Sequence, residues 1–277
     1  MIQTGIIKIK DEEFFELADL IFKHSGITFT INKKYLIENR LSRLLHELNF
    51  TSYKDYIYYL KYNIKGKSEI QRLINLVTIN ETYFFRERGQ IDYLVEKVIP
   101  DLILKGKRSI KILSAACSTG EEPYSIAIAL KEKKLTEKVR IDIIGVDINT
   151  DVIKTAQEGI YRSVSFRGVN PQIISKYFKK EELNYLLSDE IKKMVRFMQG
   201  NLTDKLLYLK IGKCDVIFCR NVLIYFDIDT KKVVIEHFYN NLNTPGFLFL
   251  GHSETLNRLN NNFEMENFKT GIVYKKG

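Results

Sequence analysis

The sequence has no hydrophobic run that approaches the ~18 to 20 residues needed to cross a bilayer. Its first residues, MIQTGIIKIKDEEFF, lack the basic start and the apolar stretch of a secretory signal peptide. We therefore expect a cytoplasmic protein without direct membrane insertion. With 277 residues, 45% of them hydrophobic, the chain can bury a sizeable core in one large domain or two smaller ones.

Cysteine and histidine are also scarce, and their spacing fits no metal motif. The three cysteines form no CxxC pair, and the four histidines show no HExxH spacing. We expect no metal and interpret the cysteines as buried thiols in a reducing compartment.

Positive charge is in excess, with 43 Lys and Arg against 34 Asp and Glu, a formal net charge of +9. This balance favours an acidic partner. Nucleic acid, anionic lipid and an acidic protein all fit, so charge alone does not choose among them.

The first part of the chain shows helical periodicity. Apolar residues recur at i, i+3, i+4 and i+7 over residues 11–24, 32–48, 52–61 and 68–77, which predicts four amphipathic helices. Residues 1–80 are therefore predicted to form a small helical domain.

From residue 109 the pattern changes to short β-branched runs that alternate with helical stretches. The runs at 110–113, 140–146, 195–198, 216–219 and 247–250 predict parallel strands in a doubly wound α/β sheet. No helix separates the last of them from the run at 271–274, which predicts an antiparallel edge strand. The lysine-rich region 161–194 fits neither pattern and is interpreted as an excursion from the sheet.

The stretch SAACSTGEEPYS, residues 114–125, lies at a strand-to-helix turn, where α/β proteins often bind nucleotides. It lacks the glycine-rich loop or following lysine that a phosphate requires, and Glu121 and Glu122 would repel a phosphate. A cationic nucleotide-like ligand would not be repelled. Alternatively, one or both glutamates only favour the helix N-terminus through its dipole.

Asp147 ends the second predicted strand, where a carboxylate can accept both ribose hydroxyls of an adenosine ligand. The alternative is an exposed cap of the next helix. The turn holds a single glycine and so lacks the GxGxxG pattern of dinucleotide sites. S-adenosylmethionine, with an adenosine, a sulfonium and no phosphate, fits better, and Glu122 is the glutamate expected to contact it.

Six segments carry a resemblance to a known family. The segments are TINETYFFRERGQ, SAACSTGEEPYSIAI, GVDINTDVIKTAQEGIYR, QGNL, CDVIFCRNVLIYFD and PGFLFLGHSE. In this order they closely resemble motifs of the chemotaxis receptor glutamate methyltransferases, the CheR family. The resemblance implies a helical domain over 1–80, a linker segment and helix over 81–108, and a class I S-adenosylmethionine-dependent methyltransferase domain over 109–277. That domain is expected to have a mostly parallel seven-stranded sheet and an inserted β-subdomain at about 161–194.

The resemblance also implies site residues. Cofactor contacts are expected at Asn80, Thr82, Arg86, Glu122, Asp147, Asn201, Leu202, Asn221 and Val222. Arg86 and Tyr225 are expected at the catalytic centre. The Arg86 guanidinium can hold the cofactor carboxylate bidentately, and the Tyr225 hydroxyl would orient the substrate carboxylate. Asn201 and Asn221 could instead be turn residues at strand ends.

The reaction implied is methyl transfer to the γ-carboxylate of receptor glutamates, which gives a methyl ester and S-adenosylhomocysteine. A glutamate with a pKa of ~4.3 is already ionised at neutral pH and needs no general base. A pocket shielded from water by groups such as Phe84 would lower the barrier. The implied partner is the cytoplasmic domain of methyl-accepting chemotaxis receptors, with no nucleic acid, and a monomer is expected.

Two alternatives remain open. The basic charge would suit an RNA methyltransferase, but residues 220–223, RNVL, lack the Asn-Pro-Pro-aromatic motif of exocyclic amine methylation. A non-catalytic module could bind the cofactor or receptors without turnover. The presence of Arg86, Asp147, Asn221 and Tyr225 argues against a decayed site.

The helix predicted over 32–48 is basic on its polar face. Four cations, Lys33, Lys34, Arg40 and Arg43, are expected to reach solvent, with only Glu38 and Glu47 to offset them. We expect this face to dock on the glutamate-rich receptor; the alternative is a solvated surface. The stretch 179–190 lacks the glycine-containing hairpin turn associated with the family's β-subdomain, which leaves binding of a receptor tail peptide open.

Overall fold

The structure, a computed structural model, describes residues 5–259 and 262–277. The chain divides into two compact units. The first contains the residues up to Ile79 together with Tyr225–Asp227, and the second contains Asn80–Ile224 and Ile228–Gly277. In the part of the chain that is described, no helix is both long and apolar enough to span a membrane.

The first unit is helical, as its periodicity predicts. It contains α1 (Asp11–Ser25), α2 (Lys34–Glu47), α3 (Tyr53–Tyr62) and α4 (Gly66–Val77), with a 3₁₀ turn at Ile31–Lys33. The apolar faces of the four helices form one buried core. Helix α4 begins at Gly66, two residues before the predicted start, and a side chain there would meet the Leu60 carbonyl oxygen at 2.4 Å. Glycine therefore allows α4 to pack closely against the end of α3.

The second unit opens with α5 (Arg88–Tyr93), a π-helical segment (Leu94–Val98) and α6 (Ile99–Leu104). The main alternation of strands and helices follows: β1 (Ser109–Ala115), α7 (Glu121–Glu132), β2 (Arg140–Asp147), α8 (Thr150–Glu158), β3 (Ile160–Arg162), α9 (Pro171–Tyr177), β4 (Phe178–Glu181), β5 (Asn184–Leu187), α10 (Asp189–Lys192), β6 (Val195–Gln199), α11 (Lys205–Ile211), β7 (Cys214–Cys219), α12 (Ile228–Asn241), β8 (Leu242–Leu250), β9 (Glu264–Phe268) and β10 (Gly271–Lys276).

Seven of these strands form one sheet in the order β6-β2-β1-β7-β8-β10-β9. The first five are parallel, and β10 pairs antiparallel with both β8 and β9. The sequence prediction of a mostly parallel seven-stranded sheet with an antiparallel edge is confirmed. Since parallel strands end at the same edge, the loops after β1, β2, β6, β7 and β8 meet there.

The region 161–194 forms a separate antiparallel sheet in the order β3-β5-β4. Strands β4 and β5 make a hairpin in which Glu181 pairs with Asn184, leaving Glu182 and Leu183 as the turn. Glu182 takes the left-handed φ of 51° that glycine would otherwise supply. The glycine that the sequence lacks is therefore not needed for the hairpin.

Phe84 lies in an aromatic cluster beside this small sheet. Its ring stacks on Phe166 at 5.2 Å and meets Tyr161 and Phe178 edge to face at 4.8 and 5.0 Å. Phe84 is 1% exposed, so it is a core residue. The expectation that its side chain shields a substrate pocket from water is wrong, because its ring is enclosed by other aromatic rings.

Candidate active site

The turn between β1 and α7 has a constrained backbone. Ala116 and Ser118 have left-handed φ values of 60° and 50°, and Gly120 has a φ of 92°. Such conformations in non-glycine residues cost about 1–3 kcal/mol each and persist only where the surroundings fix them. The turn that the sequence singles out is therefore held in one unusual shape.

Asp147 is buried at the end of β2, directly beside this turn. Its Oδ2 accepts a hydrogen bond from the Ser118 amide at 2.8 Å, and its Oδ1 accepts one from the Asn149 amide at 2.9 Å. Burial raises the pKa of Asp147, and the backbone amides partly oppose that rise. The side chain that caps α8 belongs to Asn149, which accepts from the Asp151 amide. The alternative role of Asp147 as an exposed helix cap is wrong.

The adjacent glutamates of the turn point to different partners. Glu121 is 2% exposed, and its carboxylate accepts from the hydroxyls of Thr119 at 2.6 Å and Ser165 at 3.1 Å. Burial raises its pKa. Glu122 accepts from the Ser114 hydroxyl at 2.6 Å and from the Arg220 guanidinium at 2.6 Å.

Arg220, which directly follows β7, is a residue that sequence reasoning missed. Its Nε donates to Glu122, and its Nη1 donates to the Arg86 carbonyl oxygen at 2.8 Å and lies 3.6 Å from Glu87 Oε2. The Arg220 side chain is 3% exposed. It therefore ties the loop after β7 to α7 and to the segment before α5. A charged residue at the carboxyl end of a buried strand, as with Asp147 in β2, was the available signal.

The segment 80–87 runs along the same turn. The Asn80 carbonyl accepts from the Ser118 hydroxyl at 3.0 Å, and the Phe85 amide donates to Ser125 Oγ at 2.8 Å. Thr82 is half-buried within this segment. The Arg86 guanidinium donates to the Glu81 carbonyl at 3.0 Å. The structure thus brings Asn80 to the constrained turn, while Arg86 folds back along its own segment.

Asn201 and Leu202 follow β6, which pairs with β2 so that Gln199 lies opposite Asp147. Asn201 Oδ1 accepts from the Thr203 amide at 3.0 Å and from its hydroxyl at 2.9 Å, as a turn residue would. The Leu202 side chain is buried. Asn201 therefore shapes this loop, and its binding role stays a prediction.

Asn221 and Val222 lie in the loop after β7, beside a second residue that sequence reasoning missed. Their backbone amides donate to the Glu254 carboxylate at 2.7 and 2.9 Å. Asn221 has a left-handed φ of 59°. Glu254 follows β8, and its position in a polar loop at the carboxyl edge of the sheet was the available signal.

Tyr225 belongs with the helical unit. Its carbonyl accepts from the Thr28 amide at 2.9 Å, and Phe226 forms a β-bridge with Ile27. Tyr225 therefore belongs to the first compact unit, and its catalytic role stays a prediction.

The four predicted docking cations, of which Lys33 lies in the 3₁₀ turn before α2 and the others lie in α2, differ in their surroundings. Lys33 and Arg43 are exposed, and Arg43 pairs with Glu47 at 3.0 Å. Lys34 pairs with Asp11 at 2.6 Å. The expectation that Arg40 reaches solvent freely is wrong, because its guanidinium donates to the Val77 and Thr78 carbonyls at the end of α4. That contact satisfies carbonyls that a helix end leaves unpaired.

Glu38 does not offset these cations at the surface. It is 6% exposed and accepts from the Ile9 amide at 3.1 Å and Lys8 Nζ at 2.9 Å. Of the two carboxylates that the sequence suggested, only Glu47 lies at the surface.

The charged side chains at the carboxyl edge of the sheet suit a cationic adenosine ligand. Asp147, Glu121 and Glu122 are carboxylates, and the one buried cation among the described contacts of Glu122, Arg220, is already paired. A phosphate would have to approach these carboxylates, whereas a sulfonium would not be repelled. Within residues 5–259 and 262–277, no group of three His, Cys, Asp or Glu side chains could hold a metal ion.

Comparison with known proteins gives matches along nearly the whole chain. Two family models match: CheR methyltransferase, SAM binding domain, over residues 80–272, and CheR methyltransferase, all-alpha domain, over residues 12–78. The chain is 40% identical to chemotaxis protein methyltransferase 2 of Vibrio cholerae, over 98% of this chain and 94% of that protein. It is also 40% identical to the chemotaxis protein methyltransferase of Borreliella burgdorferi, over 98% and 96%, and 35% identical to that of Escherichia coli, over 95% and 91%.

Proposed function

Because this chain belongs to the CheR methyltransferase family, we propose that it methylates the γ-carboxylate of glutamates in chemotaxis receptors, giving glutamate methyl esters. Family membership gives the reaction class, methyl transfer from S-adenosylmethionine. We propose, beyond this, the acceptor carboxylate, the receptor partner and the role of each residue. The relatives are named chemotaxis protein methyltransferases, which supports a chemotaxis receptor as the methyl acceptor.

One observation carries the cofactor half of the proposal: Asp147 is a buried carboxylate at the end of β2, fixed by backbone amides beside the turn at Ser118. A carboxylate has about four lone-pair positions, of which the amides of Ser118, Asn149 and Ile148 take some, and Asp147 would accept the ribose hydroxyls with the remainder. When bound, S-adenosylmethionine supplies an activated methyl group on a cationic sulfur.

The remaining residues would hold the two ends of the cofactor. Arg86 makes one hydrogen bond to the Glu81 carbonyl, and its other N–H groups would bind the methionine carboxylate bidentately. Further cofactor contacts are proposed at Asn80, Thr82, Glu122, Asn201, Leu202, Asn221 and Val222. Tyr225 is proposed to orient the acceptor carboxylate.

The chain's task in this reaction is positioning rather than proton transfer. A glutamate acceptor with a pKa of ~4.3 is ionised at neutral pH, so no residue has to remove a proton from it. A strong contact of Arg86 with the acceptor would stabilise its ionised ground state, which supports placing Arg86 on the cofactor carboxylate.

The helical domain, residues 1–80, is proposed to dock on the receptor. The exposed cations Lys33, in the 3₁₀ turn before α2, and Arg43, in α2, support this role, since receptor methylation regions are expected to be rich in glutamate. Arg40 contributes less than the sequence suggests, because its guanidinium is engaged at the end of α4.

Incubation with methyl-labelled S-adenosylmethionine and receptor-containing membranes from the source organism tests this function. We expect labelled membrane protein from which mild alkali releases methanol, because carboxyl esters hydrolyse and N-methyl groups do not. Label that resists alkali, or that enters only RNA, would contradict the proposal. Binding of S-adenosylhomocysteine without any transfer would instead indicate a non-catalytic module.

A further inference from the structure

The Glu254 carboxylate accepts hydrogen bonds from two loops at the carboxyl edge of the sheet, the loop after β7 and the loop after β8. Its Oε2 accepts from the amides of Asn221 at 2.7 Å and Gly251 at 2.8 Å. Its Oε1 accepts from the amides of Val222 at 2.9 Å and Leu223 at 2.8 Å. An ionised carboxylate has about four lone-pair positions, so these four backbone donors saturate it.

This arrangement fixes the backbone of the loop after β7. Three consecutive amides, from Asn221 to Leu223, point towards one carboxylate, and such convergent N–H groups need an anion at their focus. Asn221 also holds a left-handed φ of 59°, a conformation that costs energy in a non-glycine residue. Hydrogen bonds to a charged acceptor are strong enough to offset that cost.

Gly251 brings the second loop into close contact with the first. A side chain at this position would meet Glu254 Oε2 at 2.8 Å and both the backbone nitrogen and Nδ2 of Asn221 at 2.9 Å. The Asn221 side chain therefore packs directly over the Gly251 backbone. The same two loops thus constrain the backbone and the side chain of Asn221.

We propose that Glu254 is a positioning residue of the cofactor site, which holds Asn221 and Val222 in the conformation that binds S-adenosylmethionine. It acts through these two residues rather than by contact with the cofactor. The inference rests on the proposed role of Asn221 and Val222 as cofactor contacts. Glutamine cannot substitute, because its amide group would direct N–H donors at backbone N–H donors.

The test measures the Kd of S-adenosylhomocysteine by calorimetry and the Tm by thermal unfolding. Glu254→Gln should raise Kd by about tenfold or more, which corresponds to about 1.4 kcal/mol. Glu254→Asp keeps the charge on a shorter side chain and should give a smaller increase.

Asp215→Asn is the matched control. Asp215 is buried near the start of β7, away from the carboxyl edge, and accepts from Lys107 Nζ at 2.6 Å, the Lys111 amide at 2.9 Å and Asn243 Nδ2 at 2.8 Å. Its replacement should lower Tm and leave Kd unchanged. Equal Kd values for Glu254→Gln and the wild type, with only a lower Tm, would overturn the proposal.

A double-mutant cycle with Asn221→Ala separates positioning from general stability. If Glu254 acts through Asn221, adding Glu254→Gln to Asn221→Ala should raise Kd by less than it does in the wild type. Fully additive effects on Kd would overturn the proposal. If Glu254→Gln does not fold, Glu254→Asp takes its place in the cycle and is judged by the same two outcomes.

The double-mutant cycle needs no receptor. A failure of receptor methylation would therefore contradict the proposed acceptor but would not affect the conclusion about Glu254 and cofactor binding. A wild-type protein that does not bind S-adenosylhomocysteine would contradict the cofactor half of the proposed function and this inference with it.

Discussion

Arg220 and Glu122 form a buried ion pair in which Nε lies 2.6 Å from Oε2, with the two side chains 3% and 12% exposed. The pair joins the loop after β7 to the first turn of α7, beside the turn proposed to bind the cofactor. Removing one member of such a pair leaves a buried charge without its partner, which costs far more than the pair itself contributes.

We expect Glu122→Ala to lower the free energy of unfolding by about 3 kcal/mol or more, the cost of breaking a buried ion pair. Urea unfolding measures the change. The control is Asp142→Ala, which removes the partner of Arg196, a pair with 51% and 31% exposed side chains. That loss should cost no more than about 1 kcal/mol. Similar losses of unfolding free energy in the two variants would show that the Arg220–Glu122 pair contributes no more than an exposed ion pair.

We expect Asp147→Ala to weaken cofactor binding by about 1.5–3 kcal/mol, the scale of charge-assisted hydrogen bonds. Calorimetry with S-adenosylhomocysteine measures it. Asp151→Ala, which removes an exposed carboxylate from the first turn of α8, is the control and should leave the affinity unchanged. Unchanged affinity in a folded Asp147→Ala protein would reject the ribose role.

The affinity for S-adenosylhomocysteine should also depend on pH. Burial raises the pKa of Asp147 above its ordinary value of 3.8. The ionised carboxylate is the form that accepts two ribose hydroxyls, so affinity should fall as the pH is lowered through the raised pKa. In Asp147→Asn the affinity should be lower and should lack this fall. Parallel pH profiles of the two proteins would assign the dependence to another group.

Glu121→Gln should stabilise the protein at neutral pH. Burial raises the pKa of Glu121, and a raised pKa contributes stability below the unfolded value that is lost as the pH rises through the folded value. The ionised form is therefore costly at neutral pH. Glutamine can keep both contacts, because the hydroxyls of Thr119 and Ser165 can donate or accept.

The gain in Glu121→Gln should shrink as the pH falls through the raised pKa of Glu121. Thermal unfolding across pH measures it, with Glu122→Gln as the neighbouring control. That variant should lower stability instead, because it removes the nearer of the two carboxylates that pair with the buried Arg220. The same sign of change in both variants would contradict this distinction.

Reversing Lys33 and Arg43 to Glu should raise the receptor KM, most steeply at low salt, and leave the cofactor Kd unchanged. The control reverses Lys65 and Lys67, two exposed cations of the same domain, by the same total charge. Methylation kinetics at low and high ionic strength compare the two. Equal effects would indicate a response to net charge rather than a docking face.

Arg40 is unsuitable for that test. Arg40→Glu would place a carboxylate next to the Val77 and Thr78 carbonyls and lower the free energy of unfolding, so any loss of methylation would be ambiguous.

Local patterns were enough to predict the four helices of the first unit, six strands of the main sheet and the position of Asp147, because each depends on periodicity or on one strand end. They did not predict α11 or β9. The turn at 114–125 was found from the carboxylates and the missing phosphate motif. The family resemblance then supplied the insertion and most site residues, although it does not tell which atoms each one binds.

The contacts that organise the site depend on residues distant in sequence. Arg220 and Glu122 are 98 positions apart, and Glu254 and Asn221 are 33 apart. No periodicity encodes which side chain satisfies which amide, so these partners could not be predicted. Arg40 shows the same limit: its helical position indicates solvent, but the end of α4 offers carbonyls within its reach.

The most direct test of the central claim is to locate the methyl group on receptor peptides after incubation with S-adenosylmethionine and this protein. The account predicts methyl esters on glutamate side chains, seen by peptide mass spectrometry as an alkali-labile gain of one methylene, and a strong reduction with Asp147→Ala. Methyl groups on lysine, arginine or RNA, or none at all from a wild-type protein that binds S-adenosylhomocysteine, would contradict it.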